Sequence, residues 1–220
     1  MSHFSAVCST FLKPVDFPPK ALYHIFADGT SVTLIILGDV FMLNDFLLNL
    51  TFRAWIWIIP LFLFLHEMEE WNILDWYHST YNPPPKSTKL SCRIWLFIMS
   101  IWGFIVASLA YFIPNKYISA GIAVFLVVFT TFNGFQHIFW LFAFKKYAPG
   151  VLFSSLGIVA GAFITAAALV QGLVSPIYVI ILYVITVPFF IATFRAGNKC
   201  IGTFEHLHNL TLKIVEVLEK

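Results

Sequence analysis

Residues 54–77 read AWIWIIPLFLFLHEMEEWNILDWY. The first half is an apolar run of the kind that crosses a bilayer, and it leads into His66-Glu67-Met68-Glu69-Glu70, where three carboxylates and a histidine fill four of five positions. An ionisable side chain at the centre of a membrane helix costs about 2.5–3.5 kcal/mol on insertion scales, so such a cluster persists where partners, water or a metal offset that cost. The cluster is a candidate functional site inside a membrane-embedded segment.

The composition of the whole chain agrees with that setting. Hydrophobic residues make up 60% and charged residues 11%, with a mean hydropathy of +0.85, outside the usual range for a soluble globular domain. The 25 Phe and 7 Trp suit lipid-facing helix surfaces and interfacial belts. A net charge of +2 is too small to imply a nucleic-acid partner. Cys8, Cys92 and Cys200 are widely spaced, match no CxxC pattern, and read as ordinary thiols.

Five strong spans are predicted, at 54–77, 91–113, 118–144, 151–172 and 176–195, each near the roughly 20 residues a helix needs to cross the hydrocarbon. Turn chemistry separates them: Asn82-Pro83-Pro84-Pro85, Pro114-Asn115, Pro149-Gly150 and Ser175-Pro176. The expected fold is an all-α polytopic membrane bundle with a core at 54–195. Residues 1–53 form an N-terminal segment without a cleaved targeting sequence. Within it, 31–52 is apolar but interrupted by Asp39, Asn44, Asp45 and Asn49, which suits either a sixth membrane helix or a helix lying in the interface. Residues 196–220 read as a cytoplasmic amphipathic tail with a stripe of Phe204, Leu207, Ile214, Val215 and Leu218. His206 and His208, two apart on that helix, share no face and are assigned to its surface.

Basic residues set the expected orientation. Lys86, Lys89 and Arg93 follow the first strong span, Lys145 and Lys146 the third, and Arg195 and Lys199 the fifth, while the alternate loops hold only Lys116. The positive-inside rule puts the richer loops in the cytoplasm.

A second polar constellation, Asn133-Gly134-Phe135-Gln136-His137, lies deep in the third span. At 1.5 Å per residue, His66 and Asn133 both fall roughly 18–28 Å from the outer ends of their spans, at one level in the cytoplasmic half of the bilayer. Helical spacing groups His66, Glu69 and Glu70 on one face and Asn133 with His137 on another; Glu67 points about 100° away and reads as a neighbour. Facing each other, two imidazoles and up to two carboxylates are the ligand types that Zn²⁺ or iron accepts. Gly134 allows close helix approach.

The His66-x-x-Glu69-Glu70 run followed by Trp71, the Asn133-x-x-x-His137 pair two spans later, and Lys145-Lys146-Tyr147-Ala148-Pro149-Gly150 after it together resemble the HXXEE family of integral membrane proteins. The resemblance covers roughly 55–195. It implies a membrane protein with enzymatic activity, whose functional positions are His66, Glu69, Glu70, Asn133 and His137, and it supplies no substrate.

No GxSxG elbow, phosphate loop or CxxC pair is present in the sequence. The expectation is therefore a metal-dependent membrane hydrolase acting on a lipid-like or amphiphilic substrate from the cytoplasmic leaflet. His66, His137 and Glu69 or Glu70 would hold a zinc or iron ion, the other carboxylate would move a proton, and Asn133 would orient a ligand. Oxidation with iron uses the same ligands. The rival classes are a proton-coupled transporter or channel using the His/Glu cluster as a relay, and a membrane assembly factor in which the cluster is only polar glue.

Overall fold

The computed structural model describes residues 51–200 and 202–219, with Met42, Leu43, Asp45, Leu47 and Leu48 before them. Of residues 1–44 only Met42 and Leu43 are described, both helical. The extra span expected at 31–52 lies mostly outside the described residues, and Cys8 lies outside them.

Among the described residues every regular element is a helix: α1 Phe52–Trp55, α2 Ile58–Glu69, α3 Ile73–Thr80, α4 Lys89–Phe112, α5 Lys116–Phe144, α6 Val151–Val170, α7 Pro176–Ala196 and α8 Gly202–Leu218. Four of them, α4 to α7, are long and apolar enough to cross a membrane. Their ends follow the turn chemistry. Thr88 and Ser91 form a reciprocal capping box at the start of α4, and the Asn115 side chain accepts from the amides of Tyr117 and Ile118 to open α5. Ser175 caps α7, with Pro176 at its first turn.

The segment 54–77, expected as one span, is broken into α1, α2 and α3. Pro60 has no N–H to reach the Ile56 carbonyl, so the helix begins anew around it and Pro60 sits in the first turn of α2, where that loss is tolerated. At the other end Glu70 leaves helical geometry with φ −83° and ψ 4°, and Asn72, a weak helix former, starts α3. The 12 residues of α2 span about 18 Å, too short to cross the hydrocarbon alone.

α5 and α6 share the most extensive contact, α2 packs on α4 and α6, and α7 packs chiefly on α5. The centre is built from small residues: Ala107 and Ala110 of α4, Ala120 and Ala123 of α5, and Ala168 of α6, with Val124, Leu126 and Ile164 between them. Membrane helices gain from such close van der Waals packing, because lipid offers no hydrophobic drive between them. At Gly134 an added Cβ would meet the Ile158 Cδ1 of α6 at 2.9 Å. Arg53 ties the front of the broken segment to the end of α4 by donating to the carbonyls of Ile113 (2.7 Å) and Pro114 (2.9 Å).

The last helix corrects one sequence reading. Its buried face is His208, Thr211 and Val215, with Phe204 half-buried one turn earlier, and Leu218 of the expected stripe is exposed. α8 lies on α4 with this face inward. His208 Nδ1 is 2.8 Å from Ser87 Oγ, and its ring meets Tyr77 and Phe204 edge-on or tilted at 5.2 and 4.3 Å. Two residues apart, only one of the two histidines can take the buried face, and His206 remains exposed.

Burial lowers the His208 pKa from the usual 6.5 to about 4, because the imidazolium would lose its hydration and Nε2 has no hydrogen-bond partner. A base depressed in the fold binds fewer protons than in the unfolded chain, so its stabilising effect is complete above the ordinary histidine range and is lost as pH falls toward 4. Protection of the amides across 202–218, corrected for the intrinsic slowing of exchange in acid, is expected to fall between pH 6.5 and 4, with that pH dependence flattened in His208→Phe. Protection that is equally pH-dependent in the variant would assign the loosening to another group.

Candidate functional site

The buried positions of α2 are Ile59, Pro60, Leu63, His66 and Glu67, and Glu70 follows at its cap. This is the i, i+3, i+4, i+7 stripe of a packed helix, and it carries His66, Glu67 and Glu70 inward while Glu69 falls outside it. On α5 the inward face carries Thr131, Gly134, His137 and Trp140, with Asn133 half-buried beside it. The two stripes bring His66, Glu70, Asn133 and His137 together.

The geometry is close. Glu70 Oε1 lies 3.0 Å from His137 Nε2 and 3.4 Å from His66 Nε2. One ligand atom from each of His66, Glu70 and His137 lies within 4.8 Å of the others. The three residues are 2%, 6% and 3% exposed, so bulk water reaches none of them freely. The two imidazoles stand edge to face, 4.6 Å between centroids, with Trp140 against His137 at 4.9 Å.

Proton positions follow from the partners. His66 Nδ1 is 2.8 Å from the Gly150 carbonyl, which can only accept, so Nδ1 carries the proton and Nε2 keeps its lone pair. The Asn133 amide N–H donates to that lone pair at 2.8 Å. His137 Nδ1 is buried without a hydrogen-bond partner, and the Pro149 backbone lies beside that ring. The Pro149-Gly150 turn thus lies behind both histidines. A backbone carbonyl holding one ring nitrogen and freeing the other is the usual support for a metal-ligating histidine.

Glu69, grouped by the sequence reading with the ligands, is not among them. Its carboxylate accepts from the amides of Leu152 (3.3 Å) and Phe153 (3.0 Å) at the start of α6 and from the Tyr147 hydroxyl. Gly150, the N-cap of α6, has no side chain to satisfy those donors, and a carboxylate is favoured at the positive end of a helix. The bond to Glu69 pushes the Tyr147 phenol up to about 12, so it remains a donor over the whole working pH range. Glu67 takes the position in the site that Glu69 leaves: it is buried and lines the same cavity as His66 and Glu70.

That cavity has a volume of about 190 Å³. Its polar end is His66, Glu67, Glu70, Asn133 and His137, and its walls are aromatic, among them Trp95, Phe129, Phe132 and Trp140. It reaches the protein surface beside Gly197 and Lys199, between α7 and α8, where both residues are exposed. His78 is exposed and outside it, and Cys92 is a buried free thiol.

Residues 57–165 match the profile of a family described as "Protein of unknown function with HXXEE motif", and the matched stretch holds His66, Glu70, Asn133, His137 and Gly150. No curated protein and no solved structure matches the chain.

Two variants separate the roles of these residues. Glu69→Ala is expected to lower unfolding stability by about 1 kcal/mol, the loss of a helix cap, with ligand binding at the His66 site kept; thermal unfolding in detergent measures it, and an unchanged melting temperature would remove the capping role. Gly150→Ala is expected to cost more, above about 1 kcal/mol, and to distort the site. Gly150 has φ +91°, and an added Cβ would stand 2.7 Å from His66 Nδ1 and 2.8 Å from Glu70 Oε1. An alanine protein with wild-type stability would show that the turn has another conformation open to it.

Proposed function

Through residues 57–165 the chain belongs to the HXXEE family of unknown function, and on that premise we propose that it is a metal-dependent integral membrane enzyme, a hydrolase acting on a lipid-like or amphiphilic substrate. The observation that carries this reading is the buried His66, Glu70, His137 group, whose ligand atoms lie within 4.8 Å of one another at the polar end of a cavity with aromatic walls. Polar glue between two helices needs one or two such groups, whereas a second histidine and a second carboxylate add desolvation cost without adding adhesion.

The donors fit a divalent ion. Two imidazoles and one carboxylate, with the remaining positions open toward the cavity, form the ligand set of catalytic zinc and of non-haem iron. Nε2 of His66 already has its lone pair free of a proton, and a proton on Nδ1 of His137 would leave the Nε2 of that ring free as a ligand as well. Bound there, the ion supplies Lewis-acid polarisation of an ester or amide carbonyl. Were His66 Nε2 to hold the ion, the Asn133 N–H that now donates to it would be free to donate to a substrate oxygen. Glu67 is the second carboxylate of the cavity and the group that exchanges a proton with the substrate at its carboxylate oxygen. Glu69 supports the site only through α6.

The side of the membrane is read from the bases. Gly150 holds His66 and closes the loop that contains Lys145 and Lys146, so the site lies near the basic end of α5, which the positive-inside rule makes cytoplasmic.

Elemental analysis of the detergent-purified protein tests the reading. Near-stoichiometric zinc is expected in the wild type and its loss in the His66→Ala, His137→Ala double variant. Iron in place of zinc would redirect the reading to oxidation on the same ligands. A folded preparation without metal would overturn it and bring forward the proton relay of a transporter, for which buried carboxylates and histidines suffice.

A further inference from the structure

The cavity at the His66 site has a second neighbour, on the lipid side of the bundle. Between α5 and α7 runs an apolar groove of about 370 Å³, lined by Phe132 and Phe135 on one side and by Val184, Val187 and Phe190 on the other. Phe132 lines both the groove and the polar-ended cavity. Its ring touches Phe190 at 5.3 Å and Phe189 at 6.4 Å, so a small aromatic cluster is what stands between the two spaces. Just beyond it the Gln136 amide donates to Thr193 Oγ1 at 2.8 Å, both residues lining the cavity.

α7 is the least covered of the four long helices, with 11% of its apolar window buried against 28–50% for the others, and it is joined to the bundle chiefly along this seam with α5. The seam is therefore the thinnest wall between the site and the surroundings of the helices. In a bilayer those surroundings are hydrocarbon chains, and a groove whose lining is apolar apart from Tyr183 and Thr186 favours an apolar occupant.

We propose that the substrate is a neutral amphiphile with a hydrocarbon chain, bound laterally from the bilayer: its polar head lies at His66, Glu70 and His137, its chain passes Phe132, and the remainder of the chain fills the groove between α5 and α7. This deepens the reading of a lipid-directed enzyme and rests on it for the head end alone. The charge of the head follows from the cavity lining. Glu67 and Glu70 are its buried ionisable acids, and among the described residues lining it the one lysine, Lys199, is exposed at the rim. With a divalent ion at His66, Glu70 and His137, the carboxylates of Glu67 and Glu70 would balance its two charges, and no buried Lys or Arg lines the polar end to add to them, so an uncharged head bearing a hydroxyl, ester or amide suits it. Asn133 and Gln136 supply amide groups there to hydrogen-bond it.

The test uses the full chain in phosphatidylcholine vesicles and a monoacylglycerol carrying a diazirine near the methyl end of its chain. After irradiation, adducts are expected to concentrate on Val184, Val187 and Phe190 and to fall on addition of unlabelled monoacylglycerol. Val187→Trp, at a half-exposed position that leaves the core untouched, is expected to reduce labelling several-fold at the groove while metal content stays at the wild-type level. Adducts spread evenly over the lipid-facing sides of α4, α6 and α7, or groove labelling indifferent to Val187→Trp, would overturn the proposal by making the lipid there annular. Cross-linked dimers through Val184 would overturn it by assigning the groove to a second copy. Metal measured on the same samples keeps the two readings apart: focused labelling on a metal-free protein sustains the lateral groove and sinks the metal centre, and normal metal with diffuse labelling does the reverse.

Discussion

The hydrogen bond from His66 Nδ1 to the Gly150 carbonyl joins residues 84 positions apart and ties the broken front segment to the turn between α5 and α6. Much of the site depends on that turn. Gly150 supplies the carbonyl that selects the His66 tautomer, adopts the positive φ that lets the chain reverse, and lacks the side chain that would strike both His66 and Glu70. The neighbouring Pro149 bears on His137. A buried imidazole without such an acceptor would leave a donor unpaired in a low-dielectric interior, at a cost of roughly 1–3 kcal/mol. The turn is therefore as much part of the site as the side chains it orients.

The same constraint divides the labour of adjacent carboxylates. Glu69 and Glu70 are neighbours in sequence but leave α2 about 100° apart. Glu70 enters the bundle and meets two imidazoles, whereas Glu69 meets the open amides at the start of α6, donors that Gly150 cannot satisfy. Glu70 still follows the register of the preceding turn, and the break after it lets the chain turn into α3, whose Trp76 and Tyr77 then pack beside Trp140. The result is a site with polar groups on one side and an aromatic floor on the other, the form of a pocket that accepts an amphiphile.

α8 completes the surroundings. Its inward face holds His208 against Ser87 and Tyr77, and Phe204 from the same helix lines the cavity that begins at His66. The cavity thus borrows walls from helices that are far apart in sequence, with α7 and its loose seam as the side nearest to lipid.

Much of the architecture was legible in the residues. Composition and the Pro, Gly and Asn turns marked the four long helices to within a few positions, because crossing a bilayer demands length and apolarity that no soluble helix needs. Counting residues along the two helices also set His66 level with Asn133, and their side chains meet at 2.8 Å although the first span is broken. The chain by itself did not decide which carboxylate faces inward. In a segment apolar on every side, the stripe that runs from Ile59 to Glu70 has no polar face to contrast with, so Glu69 and Glu67 exchanged roles only once α4, α5 and α6 had packed around α2. Nor could the sequence show that Pro60 and Glu70 would divide the first span, or that His208 rather than His206 would be buried. Those choices depend on what each helix packs against, and packing partners are a property of the tertiary structure.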